Sequence, residues 1–136
     1  MTANVLIVDD EAALAGFLKE VIEADGYAVH LAASLEEAHR RLAEARPDVM
    51  LVDAALPDGN GYALCQDVRG RSETARLPLV FMSAMSRPVD IEKALALGAD
   101  AFLGKPFLAG DLTRTLARLT GRDTMTGRDA VARLDA

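Results

Sequence analysis

Strictly alternating strand and helix signals predict an α/β fold, a three-layer sandwich in which helices cover both faces of a parallel sheet. Three observations carry this expectation. Short unbroken apolar runs recur along the first 120 residues, segments with helical spacing separate them, and glycines and prolines punctuate the joins. Together they make five strand–helix units of about 24 residues each.

The elements follow in order. Asn4-Val5-Leu6-Ile7-Val8 is rich in β-branched residues, too short for a helix and free of polar alternation, as a strand buried on both faces should be. Leu14, Leu18, Val21 and Ile22 then share one helical face, and Gly26 stands where that helix should stop. Ala28-Val29-His30-Leu31 is a shorter strand, and Ser34-Leu35-Glu36-Glu37 reads as a capping box opening a helix through Leu35, Ala38 and Leu42. Val49-Met50-Leu51-Val52 repeats the buried-strand form, and Pro57, Gly59 and Gly61 mark the loop behind it. On the following helix, Cys65 sits with Leu64 and Val68 as a small core or boundary residue, and Arg69, Arg71 and Arg76 read as a solvated helix end or a kinase-docking patch. Pro78 opens the strand Leu79-Val80-Phe81-Met82, and Gly98 stops the next helix. Ala101-Phe102-Leu103 is the last strand, and Leu108, Leu112, Leu116 and Leu119 align on one face of the last helix.

Composition narrows the class. The chain has 136 residues, 51% apolar, with 15 basic and 21 acidic side chains. Three of each sign lie in residues 121–136, so the whole net charge of −6 belongs to the first 120. That acidity argues against a nucleic-acid footprint on this domain. Cys65 has no partner for a disulfide, no apolar run approaches the ~20 residues of a membrane span, and Met1-Thr2-Ala3-Asn4 lacks the features of a signal peptide. A cytoplasmic domain with no membrane partner is expected.

Ligands of such sheets bind beyond the carboxyl ends of the strands. Asp9 and Asp10 follow the first strand, Asp53 ends the third, Ser83 ends the fourth and Lys105 follows the fifth. Three carboxylates held together need a compensating cation, and a hard ion such as Mg²⁺ takes oxygen ligands of this kind. A carboxylate beside that ion can attack phosphorus, Lys105 can neutralise the transferred group and Ser83 can bond one of its oxygens. The constellation suits phosphoryl transfer to an aspartate. His30 and His39 fit no metal spacing.

The motifs Val8-Asp9-Asp10-Glu11, Val52-Asp53-Ala54-Ala55-Leu56-Pro57-Asp58-Gly59-Asn60-Gly61, Leu79-Val80-Phe81-Met82-Ser83-Ala84 and Gly98 through Phe107, in this order, resemble a response-regulator receiver domain of bacterial two-component signalling. The resemblance spans about residues 3–120. It implies a flavodoxin-like, doubly wound five-stranded parallel sheet of order 2-1-3-4-5, with a receiver domain over 1–120 and a tail or linker over 121–136 leading toward an output domain. It implies a signalling switch rather than an enzyme. Asp53 would be the phosphoacceptor, Asp10 a direct Mg²⁺ ligand, Asp9 a ligand mostly through water and the Ala55 carbonyl a further ligand. Ser83 and Phe102 would be the switch pair, and Lys105, before a cis proline bond to Pro106, the phosphate-pairing lysine. The implied partners are a sensor histidine kinase or histidine phosphotransfer protein, a downstream output protein or domain, and a homodimer mate through the fourth helix, fifth strand and fifth helix.

The sequence departs from the family at several points. Ala54 stands for a larger aliphatic residue, Leu56 for methionine and Phe102 for the commoner tyrosine. Ala55 and Met85 occupy the positions that govern water's access to the phosphoryl group, which leaves the lifetime of an aspartyl phosphate open. Two rival readings stand beside the switch: a phosphorylation-independent adaptor of receiver shape, and an aspartate-nucleophile phosphatase. The phosphatase needs a second acid two residues after the nucleophile, where Ala55 lies. In the tail, Asp123-Thr124-Met125-Thr126-Gly127 resembles the opening of a diguanylate cyclase domain. Met125-Thr126-Gly127-Arg128-Asp129 equally resembles the start of a helix-turn-helix output domain, and a frayed end is the plain alternative.

Overall fold

The structure, a computed structural model, describes residues 2–122; both readings of the tail lie outside the described residues. The elements run β1 (Asn4–Val8), α1 (Ala12–Ala24), β2 (Ala28–Ala32), α2 (Leu35–Glu44), β3 (Val49–Asp53), β4 (Ala55–Leu56), β5 (Gly59–Asn60), α3 (Gly61–Gly70), β6 (Leu79–Ser83), α4 (Pro88–Ala96), β7 (Ala101–Gly104) and α5 (Ala109–Leu119). The main sheet is wholly parallel with order β2-β1-β3-β6-β7. Counting only its five strands, this is the expected 2-1-3-4-5. The loop foreseen behind β3 carries instead a two-stranded antiparallel hairpin, Ala55 facing Asn60 and Leu56 facing Gly59. Strands of two residues are too short to leave a periodic signal.

Period-two alternation along each strand divides the core into two layers. Leu6, Val8, Met50, Val52, Leu79 and Phe81 face one side and pack with Ala38 of α2, Leu64, Cys65 and Val68 of α3 and Ala94 of α4. Val5, Ile7, Val49, Leu51, Val80 and Met82 face the other and pack with Leu18 and Ile22 of α1 and Leu112 and Leu116 of α5. Each such fully buried side chain stabilises the fold by about 1.5–3 kcal/mol relative to exposure. Gly26 and Gly98 adopt φ of +96° and +108°, and end α1 and α4 as their positions imply.

Three local expectations need correction. The Ser34 hydroxyl accepts from the Glu37 amide at 3.1 Å, but the Glu37 carboxylate returns to the Ala33 amide, one residue outside the box. Leu108 leaves the apolar face of α5: it is 73% exposed, because α5 starts at Ala109 and Leu108 has extended backbone, off the helical register. Arg69 is no solvated helix end. Its guanidinium donates to the Gly98, Ala75 and Leu77 carbonyls and to the Asp100 carboxylate, at 2.6–3.3 Å, and its side chain is only 19% exposed. The long stem carries the charge from α3 to a point between the segment before β6, with the Ala75 and Leu77 carbonyls, and the turn after α4, with that of Gly98.

At the opposite pole from the strand carboxyl ends, α5 closes against the turn between α1 and β2. The Thr120 hydroxyl and the Tyr27 hydroxyl lie 3.2 Å apart, and the Arg122 guanidinium sits over the Tyr27 ring at 4.4 Å.

Because Arg69 satisfies three carbonyls at once, Arg69→Met should lower unfolding free energy by about 2–3 kcal/mol. Urea denaturation checks this, and a loss no greater than that of Arg76→Met would contradict it.

Candidate functional site

Parallel strands buried on both faces accept polar side chains only where they end, so β1, β3, β6 and β7 deliver theirs to one edge of the sheet. Asp9 follows β1 and is 3% exposed; Asp53 closes β3 and is 8% exposed; Asp10 lies exposed beside them. Carboxylate oxygens of Asp9, Asp10 and Asp53 lie within 4.8 Å of one another. Lys105, just past β7, reaches across so that its ammonium donates to Asp53 Oδ2 at 2.9 Å and Asp9 Oδ2 at 3.2 Å.

Each buried carboxylate has its other oxygen fixed by backbone. Asp9 Oδ1 accepts from the Glu11 amide at 2.9 Å, and Asp53 Oδ1 accepts from the Ala55 amide at 3.2 Å. The bond from Asp9 closes a local turn onto the Glu11 amide, and the plain N-cap reading of this acid fails, because Glu11 stands at the cap of α1 and no side chain caps that helix. Gly61 opens α3 directly over the acceptor strand: a Cβ there would collide with the Asp53 carbonyl and the Val52 side chain. Here the close approach itself demands glycine.

Ser83 ends β6, buried, its hydroxyl accepting from the Met85 amide at 3.0 Å, while its carbonyl accepts from the Lys105 amide at 2.8 Å. Lys105-Pro106 is cis. Phe102 pairs in register with Phe81 and is half-buried against the core layer under α2, α3 and α4. The expected residues thus gather as a set: Asp9, Asp10, Asp53 and Lys105 in mutual reach, Ser83 on the adjoining strand end, Phe102 one strand further. Ala55 stands at the rim, in the hairpin. Three oxygen donors against one ammonium leave negative charge over, a donor set that fits a hard divalent cation.

The protonation balance reflects this crowding. Burial is the largest influence on Asp9 and raises its carboxyl above the ordinary 3.8, against the lowering effects of the Glu11 amide and the Lys105 charge. Burial pulls Lys105 down, but its bond to Asp53 and the charges of Asp9 and Asp53 outweigh that and hold the ammonium above its ordinary 10.5. Sequence reading passes over Asp58, whose two carboxylate oxygens accept from the Leu35 and Glu36 amides at 2.9 and 3.1 Å. The run Pro57-Asp58-Gly59 signals a turn, but nothing local says which helix the acid reaches.

A sheet of this order, with acids and a lysine at its carboxyl edge, defines the receiver class of signalling domains. The chain belongs to the response regulator receiver domain family, whose model matches residues 5–117. It is 37% identical over 123 residues to the KDP operon transcriptional regulatory protein KdpE of Escherichia coli, covering 90% of this chain and 53% of that protein. The chain spans about half the length of the curated relatives it matches. Its fold superposes on a response regulator from Chloroflexus aurantiacus J-10-fl with a TM-score of 0.85 and 32% identity, covering 89% of this chain and 99% of that one. It also matches the receiver domain of sensor histidine kinase PA1611 from Pseudomonas aeruginosa PAO1, a structure with a magnesium ion coordinated in the active site cleft. There the TM-score is 0.81, the identity 29%, and the coverage 89% of this chain and 99% of that one. The chain is therefore a receiver domain, the signalling module shared by such proteins. Among the described residues no helix is long and apolar enough to cross a membrane.

A carboxyl whose folded-state pKa is raised costs nothing below its unfolded value; the cost builds as pH climbs from that value to the folded-state one and is full above it. Asp9→Asn should therefore raise the thermal unfolding midpoint near pH 7 and leave it unchanged near pH 3. Unfolding scans at both pH values check this; a lower midpoint near pH 7 would refute it.

Proposed function

We propose that Asp53 accepts a phosphoryl group from the phosphohistidine of a sensor kinase or phosphotransfer protein. The observation that carries this reading is the Lys105 ammonium shared between Asp53 and Asp9, beside three carboxylates within 4.8 Å. A carboxylate oxygen of Asp53 attacks phosphorus in line as the P–N bond of the donor breaks; the imidazole departs with a proton, and an aspartyl phosphate forms. Lys105 then pairs with the phosphoryl oxygens, exchanging one anion for a larger one at the same place. Ser83, whose hydroxyl now accepts from its own loop, turns to donate to a phosphoryl oxygen. Phe102 follows into the space this opens, and the face of α4, β7 and α5 changes. That face is then the surface read by an output domain, a partner or a second copy of the chain.

Asp9, Asp10 and Asp53, with the Ala55 carbonyl, would hold Mg²⁺. When bound, the ion supplies the positive charge that lets these carboxylates and the incoming phosphoryl group stay together. The magnesium-bearing kinase receiver among the relatives supports this assignment by analogy. The receiver unit is proposed to run over 1–120, since α5 ends at Leu119 and the family match at residue 117. The assembled acid, serine and lysine set disfavours the adaptor reading, and Ala55 offers no second acid for a phosphatase.

Incubation with a small phosphoramidate and Mg²⁺ should add one phosphoryl group by intact mass, and neither Asp53→Asn nor a sample in chelator should gain it. Absence of the gain with every donor, phosphorylated kinase included, would sink the assignment.

A further inference from the structure

Asp58 sits in the turn of the β4–β5 hairpin, yet both its carboxylate oxygens are spent on another element, the Leu35 and Glu36 amides in the first turn of α2. These are two of the donors a helix leaves unpaired at its start, and Ser34 satisfies a third, the Glu37 amide. The attachment is reinforced by packing: a Cβ on Gly59 would run into the Leu35 side chain, so the hairpin lies flat against α2. The first of these bonds is also the main reason the Asp58 carboxyl is held below its ordinary 3.8, so the anion is the form that makes the contact. At the hairpin's other end Ala55 pairs with Asn60 and its amide bonds Asp53, while Asn60 caps α3 through the Ala63 amide. The segment that carries the Ala55 carbonyl is therefore clamped from three sides: α2, α3 and Asp53 itself.

We infer that Asp58 is a positioning residue for the metal site: by tethering the hairpin to α2 it fixes the place of the Ala55 carbonyl. The inference rests on the proposed Mg²⁺ site. Cutting this tether releases one of the three clamps without removing any ligand, so the metal is held with one oxygen less firmly placed. A merely structural cap would behave otherwise, since losing it weakens α2 and leaves the ligands where they are.

Ser34 supplies the control, because it caps the same helix turn without touching the hairpin. Mg²⁺ affinity by calorimetry and stability by urea unfolding are to be measured for the wild type, Asp58→Ala, Asp58→Asn and Ser34→Ala. Asp58→Ala should weaken Mg²⁺ binding on the order of 10-fold, as loss of a supporting contact around a metal ligand does. Asp58→Asn, which keeps one acceptor oxygen, should recover part of that loss. Ser34→Ala should lose comparable stability with its Mg²⁺ affinity unchanged. Equal weakening by Asp58→Ala and Ser34→Ala, or none by either, would overturn the positioning role while leaving the metal site standing. A wild type that binds no Mg²⁺ would overturn both, and Asp10→Asn, which deletes a proposed ligand outright, separates those cases by abolishing whatever binding the wild type shows.

Discussion

Everything at this site depends on the central strands being buried on both faces. Val49 through Val52 and Leu79 through Met82 are fully enclosed between two helical layers, and no charged side chain can be carried inside them without a large desolvation cost. A parallel sheet must also turn its chain at the same end of every strand. Polar residues are thus expelled to the two rims, and at the carboxyl rim the strand order sets which of them meet. Asp9 and Asp53 are neighbours because β1 and β3 are neighbours; Lys105 reaches them from β7, over the end of β6.

That crowding is held in an uneasy balance. A single ammonium serves two buried carboxylates while a third stands exposed, so the rim keeps an excess of negative charge in a place where water is scarce. Such an arrangement is poor for stability and good for capturing a cation and then an anion, since each arrival relieves what the previous arrangement left uncompensated. Backbone bonds to Asp9 and Asp53 fix one oxygen of each carboxylate within this crowded rim.

Much of this was legible in the sequence because the physics involved is local or periodic. Continuous β-branched runs revealed doubly buried strands, and their order along the chain placed Asp9, Asp53, Ser83 and Lys105 at the same rim. What stayed hidden turns on features that carry no letter of their own: which backbone group a side chain meets and at which residue a helix begins. Arg69 looked like a solvated charge because its acceptors are carbonyls at Ala75, Leu77 and Gly98, and a carbonyl has no letter of its own. Asp58 looked like a turn residue because the amides it binds belong to a helix begun 23 positions earlier. Leu108 kept the four-residue rhythm of its neighbours although the helix had not yet started.

The Tyr27 clasp at the end of α5 has a geometric consequence. With 11 residues at 1.5 Å each, α5 descends about 16 Å from the rim where Lys105 works to the far pole. There Thr120 and Arg122 are fastened to the turn before β2, so the described backbone leaves the domain from a fixed bearing, on the side away from the chemistry. The helix thus spans the domain from pole to pole, its first turn beside the acidic rim and its last fastened at the foot.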